Sequence, residues 1–302
     1  MKNQLIVIAG PTAVGKTEFC LRLAGKLGAE IVSADSRQFF RELSIGTAKP
    51  TEAELARVKH HFINTHSIAE PYSAGDFERD VLALLPQLFE KSRYVIMTGG
   101  SGLYIKAVCE GLDDLPQPAA GLREALTARL DTDGLGVLQD ELRRSDPVFS
   151  ATAEVHNPQR VVRALEVFYT TGKPISSYKR KNVEERPFEP LLIALDRDRS
   201  ELYSRIEARM DLMLQNGLVE EARSVAPYRH HHALQTVGYK EVYGYLDGLY
   251  DETEMVRLLK QNTRRYAKRQ LTWFRHQGNF QWFNADDEAG VLRFVESKKP
   301  AG

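Results

Sequence analysis

Eight residues near the N-terminus carry the most specific chemistry in this chain. Gly10, Pro11, Thr12, Ala13, Val14, Gly15, Lys16 and Thr17 satisfy the spacing G-x-x-x-x-G-K-[ST]. In such a loop the glycines let the backbone curl around a phosphate and turn its N–H groups inward at a helix start. Lys16 brings a point charge to the distal phosphate, and Thr17 brings a hydroxyl for Mg²⁺. Average residue frequencies produce the pattern by chance in about one chain of this length in a hundred. Here it also stands between a buried-strand pattern and a helical one. The bland alternative, a strand-to-helix turn with a coincidental lysine, is disfavoured by that context. Something carrying a diphosphate or triphosphate binds here.

What is done with the phosphate depends on a second group. Nucleotide-hydrolysing proteins with this loop place an acid after a later strand to hold the metal shell. The later strand here ends in Thr98-Gly99-Gly100-Ser101-Gly102, which offers N–H groups and a hydroxyl but no carboxylate. The best-placed acid is Asp35, just after a strand ending at Ser33. It could hold metal-bound water, act as a base on an acceptor, or merely cap a following helix.

Cations and aromatics form a third group. From Arg257 to Arg275 the chain carries Arg257, Lys260, Arg264, Arg265, Lys268, Arg269 and Arg275 with no acid. At helical spacing 257, 260, 264 and 268 form one stripe, with 265 and 269 beside it, which suits a phosphate-contacting face. A solvated face usually intersperses glutamates, so the one-sided run favours a functional reading. A second concentration comprises Arg160, Arg163, Lys173, Lys179, Arg180 and Lys181 against only Glu166. Phe39, Phe40, Tyr104, Tyr239 and Trp273 are candidates for stacking on a base, although most aromatics are core. His230-His231-His232 reads as an exposed loop rather than a metal site, because three adjacent histidines cannot all face one ion in a regular element.

These groups need a scaffold. Leu5 to Ala9 is an uninterrupted aliphatic run, the pattern of a strand covered on both faces. A helix follows over Lys16 to Leu27, then strands over Ala29 to Ser33, Tyr94 to Thr98 and Leu191 to Leu195. The last precedes a helix from about Ser200 to Asn216, stopped by Gly217. Strands alternating with helices imply an α/β fold with a parallel sheet. Helical patterns over Leu122 to Leu130, Leu135 to Arg144 and Pro158 to Thr171 interrupt it, between turn-rich segments. The expected division is a core of residues 1–113 and 190–302 with a helical insertion over 114–189. The C-terminal quarter is helical, with a strand at Phe280 to Phe283.

The length, 302 residues, suits two domains. Lys+Arg and Asp+Glu both total 41, so the formal net charge is zero. That argues against non-specific coating of nucleic acid and says nothing about local basic patches. Two cysteines, Cys20 and Cys109, cannot build a disulfide framework, so a reducing compartment is the default. The N-terminal apolar run is too short for a signal peptide and no stretch approaches a membrane span. A cytoplasmic, globular, monomeric protein is expected.

Taken in order, the segments GPTAVGKT (10–17), SADSRQ (33–38), IGTAKP (45–50), YSAGDF (72–77), GGSGLY (99–104), NPQRVVRALEV (157–167), RIEARMDLML (205–214), VGYKE (237–241) and AKRQLTWFR (267–275) resemble the tRNA dimethylallyltransferase family. The resemblance runs from Leu5 to about Trp282. It implies a core like that of P-loop nucleotide-hydrolysing enzymes, carrying a helical insertion. It also implies transfer of a dimethylallyl group from dimethylallyl diphosphate to the exocyclic amine of the adenine immediately 3′ of the anticodon. The phosphate loop would then cradle the diphosphate leaving group, with Mg²⁺ on Thr17 and ATP as a further candidate occupant. The same matching implies Asp35 as proton acceptor and assigns catalytic positions to Ser101, Arg123 and Arg209. Asp35, Ser36, Arg37, Gln38, Gln159, Arg160, Val161, Val162 and Arg163 would face the anticodon stem-loop, joined by Arg264, Lys268 and Arg269. Spacing alone instead reads Arg209 as an exposed charge on an amphipathic helix. Ser101 stands where threonine is common, and Phe40 where tyrosine is common. The two basic surfaces fit a clamp on the stem-loop. The rival readings are a small-molecule kinase using ATP and a non-enzymatic RNA-binding nucleotide sensor.

Overall fold

In a computed structural model the chain is described over residues 2–178 and 185–298. Its elements are, in order, β1 (Asn3–Ala9), α1 (Lys16–Leu27), β2 (Glu30–Ser33), α2 (Glu52–Arg57), β3 (His60–His61), α3 (Ala74–Lys91), β4 (Tyr94–Gly99) and α4 (Gly102–Glu110). Then come α5 (Leu122–Asp133), α6 (Leu135–Ser145), α7 (Pro147–Ser150) and α8 (Pro158–Thr171). The chain continues with β5 (Phe188–Asp196), α9 (Arg199–Gln215), α10 (Leu218–Ser224), α11 (Tyr239–Leu246), α12 (Glu252–His276), β6 (Gln281–Asn284) and α13 (Glu288–Ser297). Two compact units result: Met1–Glu110 with Glu185–Gly302, and Gly111–Glu184.

The first unit is built on a six-stranded sheet in the order β3-β2-β4-β1-β5-β6, and every pairing is parallel. Leu5, Ile6, Val7, Ile8 and Ala9 of the central β1 are all fully buried. Alternate residues feed opposite faces. Ile6 and Ile8 join Ile31, Ile96 and Ile193 against Phe19 and Leu23 of α1 and Val291 of α13. Leu5, Val7 and Ala9 join Val32, Val95 and Met97 against Phe77, Val81 and Leu85 of α3 and Val108 of α4. Cover on both faces is the reason the strand is a continuous apolar run rather than an alternating one. Each of the larger side chains (Val, Leu, Ile, Phe, Met) contributes about 1.5–3 kcal/mol on burial. A third apolar cluster gathers Leu43, Met210, Tyr239 and Leu259 under α9 to α12.

Sequence and structure part at small elements. β3 has two residues, too few to leave a periodic signal. β5 starts at Phe188, ahead of the expected Leu191, because the ladder continues through Pro190, which pairs with Leu5. β6 runs one residue later than expected, since Phe280 packs edge-on against Phe274 before pairing begins at Gln281.

The second unit has its own core of Leu126, Leu138, Leu142, Phe149, Val161, Val162 and Leu165. α8 is framed as its sequence dictates. Asn157 accepts the Gln159 N–H at 3.0 Å, Pro158 opens the first turn, and Gly172 ends it at φ 70°. Among the described residues no helix is long and apolar enough to cross a membrane.

Candidate active site at the strand ends

Because β4, β1 and β5 lie side by side, their carboxyl ends gather the phosphate loop, the Gly-rich turn 99–102 and the segment after Asp196, with Asp35 leaving the neighbouring β2. This is where parallel sheets bind ligands. Gly15, at φ 111°, caps α1 without a side chain, and Ala13 takes the left-handed region at φ 65°, a conformation costly for alanine. Arginines from outside the loop hold that shape. Arg209 donates to Thr12 Oγ1 at 3.3 Å, Arg205 to the Ala13 carbonyl at 2.9 Å, and Arg197 to the Val14 carbonyl at 3.2 Å. Lys16 is half-buried and donates to the carbonyls of Gly10 and Pro11 at 2.9 and 2.8 Å. Burial, helped by the neighbouring Arg209 charge and opposed by Asp35, pulls its ammonium down to about 8.

The placement of Arg209 corrects the reading from spacing. It is not an exposed surface charge: its guanidinium rests on the phosphate loop, and burial, then Arg205, lowers its pKa against the pull of Asp35. Sequence reasoning missed Arg197, Arg205 and Gln270. Gln270 accepts the Thr12 N–H and donates to the Gly100 carbonyl. The only available signal was the repeat of arginine at 205 and 209, one helical turn apart.

Asp35 is half-buried. Its Oδ1 accepts the Arg37 N–H at 3.0 Å, closing a turn, and no helix follows for it to cap. Ser101 Oγ accepts the Ser36 N–H at 3.0 Å and donates to Ser36 Oγ at 3.1 Å, so the hydroxyl holds the acid's own segment. Gln38 turns inward, donating to the carbonyls of Thr47 and Ala48 at 3.2 Å. Arg37 and Tyr104 lie close enough to feel the Asp35 charge. So does Tyr266, which sequence did not single out and whose phenol burial pushes up to about 12, the Asp35 charge adding to it.

Phe39, Phe40 and Tyr239 are buried core and cannot stack on a base as they stand. Of the five aromatic candidates, Tyr104 and Trp273 remain partly exposed. His230 to His232 lie in turns, and no cluster of metal-binding side chains occurs among the described residues.

In the second unit Arg123 reaches the fully buried Glu166 through Nε at 2.5 Å and Nη2 at 2.8 Å. Arg163 joins at 3.1 Å and also donates to the Pro116 carbonyl. Burial works against the Glu166 carboxylate, but the two arginines outweigh it and hold its pKa low. Gln159 and Arg160 are exposed, Arg160 paired with Glu154. Val161 and Val162 are 0% and 1% exposed. They are core, which corrects the expectation that they face RNA: on α8 they fall on the side opposite Gln159 and Arg160. Lys179, Arg180 and Lys181 lie outside the described residues.

The stripe on α12 also needs correction. Arg257 pairs with Glu254, Lys260 with Asp211 at 2.7 Å, Arg264 with Glu207 at 2.5 Å, and Arg275 with Asp196 at 2.9 Å. The acids come from the preceding turn, from α9 and from β5, so a window confined to 257–275 could not reveal them. Arg265, Lys268 and Arg269 are exposed and make no ion pair among the described residues.

Comparison with known proteins agrees with this arrangement. Residues 38–277 match the family described as IPP transferase. A protein named tRNA dimethylallyltransferase from Cytophaga hutchinsonii is 51% identical over 298 residues, 99% of this chain and 98% of that one. One of the same name from Christiangramia forsetii is 48% identical, with 99% of both chains covered. The crystal structure of the full-length tRNA isopentenylpyrophosphate transferase from Bacillus halodurans is 36% identical and superposes with a TM-score of 0.73, covering 98% of this chain and 97% of that one. The phosphate loop, with Arg209 resting on it and Asp35 leaving the neighbouring strand end, thus occurs in a chain that belongs to the IPP transferase family.

Proposed function

We propose that this protein transfers a dimethylallyl group from dimethylallyl diphosphate to the exocyclic amine of the adenine immediately 3′ of the tRNA anticodon, acting as a single chain in the cytoplasm. The observation that carries the reading is the pairing of a phosphate loop gripped by Arg209 and Lys16 with one carboxylate, Asp35, close enough for its charge to act on both. The near-full-length identity to proteins named for this reaction supports it.

The amine nitrogen forms a bond to the allylic carbon while the bond from that carbon to the diphosphate oxygen breaks. The electron pair leaves on the diphosphate, and the amine proton passes to Asp35. Loop N–H groups, Lys16 and Arg209 stabilise the charge that grows on the departing oxygen. To do so, Lys16 must leave the carbonyls of Gly10 and Pro11. Mg²⁺ fits the donors present. It binds through one or two protein oxygens plus substrate phosphates, and the half-buried Thr17 hydroxyl makes no hydrogen bond among the described residues. Thr17 would hold it, and it would neutralise phosphate charge. ATP would compete for the same loop. Arg123, oriented by Glu166, and the exposed Gln159 and Arg160 are the RNA-facing groups of the helical unit.

Incubating the protein with unmodified tRNA, Mg²⁺ and labelled dimethylallyl diphosphate should put label into the RNA. Phosphoryl transfer from ATP without labelled RNA would replace this reading with the kinase.

The corrected basic helix yields its own prediction. Replacing Arg265, Lys268 and Arg269 with glutamine should weaken tRNA binding and flatten its log–log salt dependence by about 2–3 units, each lost phosphate contact releasing fewer counterions. Diphosphate affinity should hold. An unchanged salt slope would mean that these side chains only solvate the surface.

A further inference from the structure

Gln270 on α12 is 7% exposed, and its amide bonds at both ends. Oε1 accepts the Thr12 N–H at 2.9 Å and Nε2 donates to the Gly100 carbonyl at 3.0 Å. These partners fix the amide's orientation, since the flipped form would set N–H against N–H and oxygen against oxygen. A Cβ on Gly100 would come within 2.1 Å of Nε2, so glycine there is what admits the amide. One residue further on, Ser101 holds Ser36 through its hydroxyl, and Ser36 adjoins Asp35. The contacts therefore run across three neighbouring strand ends, those of β1, β4 and β2.

We propose that Gln270 is a positioning residue that couples the phosphate loop to the Asp35 segment, so that a diphosphate in the loop and RNA at the acid tighten each other's binding. The inference rests on the prenyl-transfer reading above. Its physical basis is the state of Lys16, which here ties down the carbonyls of Gly10 and Pro11. A diphosphate draws the ammonium away, and the strand end that carries Thr12 loses that restraint. Any shift of Thr12 then pulls on a planar amide whose other end is the Gly100 carbonyl, and through Ser101 it reaches Ser36. The bond to Gly100 is buried and the one to Thr12 partly so, which limits the water that could otherwise absorb the movement. Coupling of this kind is reciprocal between the two ligands.

The test measures the affinity of an unmodified anticodon stem-loop RNA with and without saturating inorganic diphosphate and Mg²⁺, and that of diphosphate with and without the RNA. In the wild-type protein each ligand should tighten the other by one common factor, about 5- to 150-fold. Gln270→Glu keeps an acceptor for Thr12 but sets a carboxylate against the Gly100 carbonyl. Gln270→Met removes both bonds at similar size. In both variants the factor should fall to about one. A purely structural role would lower stability and leave the factor alone. A variant with the wild-type factor overturns the proposal, as does a wild-type protein that transfers the prenyl group yet shows a factor of one. Failure of the wild-type protein to prenylate RNA is a separate result and counts against the function. Should Gln270→Met not give a folded protein by its melting transition, Gly100→Ala, which displaces the amide from the other side, must show the same lost factor.

Discussion

Asp35→Asn should fold, bind both substrates, and lose about a hundred- to ten-thousand-fold in single-turnover rate. An adenine amine is a poor nucleophile because its lone pair is delocalised into the ring, so taking its proton as the new bond forms lowers the barrier. Asparagine matches aspartate in size and keeps the oxygen that accepts the Arg37 N–H, so the turn survives the change. It cannot take the proton. A near-normal rate in rapid-quench experiments would leave Asp35 with the turn as its only task. Recovery of the rate at high Mg²⁺ would instead make it a partner of the metal shell. Either outcome removes it from the role of base.

Lys16→Ala should cost about a hundred- to a thousandfold or more in turnover, the scale for removing one group aimed at a developing oxyanion, with tRNA affinity nearly intact. Lost RNA binding with full donor affinity would overturn that division of labour. The pH dependence adds a second reading. In the free protein the ammonium sits at about 8, well under the ordinary lysine range, and a bound diphosphate favours the charged form. Above pH 8 binding must therefore take up a proton, and diphosphate affinity should fall as pH rises. Below it Lys16 is already charged and adds no dependence. Stability has the opposite trend. The unfolded lysine keeps its proton to a higher pH than the folded one, so the folded state is penalised most below pH 8 and relieved as pH climbs toward the ordinary lysine value. Calorimetry against pH in the Lys16→Ala variant should show this rise removed.

How far the sequence could be read depended on how far apart the interacting residues lie. The phosphate loop and the ends of α8 were legible because their causes are local: glycine freedom, an asparagine cap, a proline in the first turn. The central strand was legible because cover on both faces makes every side chain of Leu5 to Ala9 apolar. Arg205 and Gln270 were not, since each meets its partner on the loop across most of the chain. The cations of α12 failed for a like reason: Asp211, Glu207 and Asp196 are carried by other elements, and Glu254 stands one turn ahead of the run. Asp35 sits between the two cases. Its position after a strand marked it as useful, but only the fold showed that no helix follows.

The ion pairs along α12 and α9 bear on how this protein searches for its substrate. A bare row of arginines would attract any RNA, and most cellular RNA is ribosomal. With Glu207 and Asp211 answering Arg264 and Lys260, that row presents fewer unpaired charges to an RNA backbone, and its sequence-independent attraction is correspondingly smaller. On the proposed function, the stem-loop must then be told from bulk RNA by contacts other than this row.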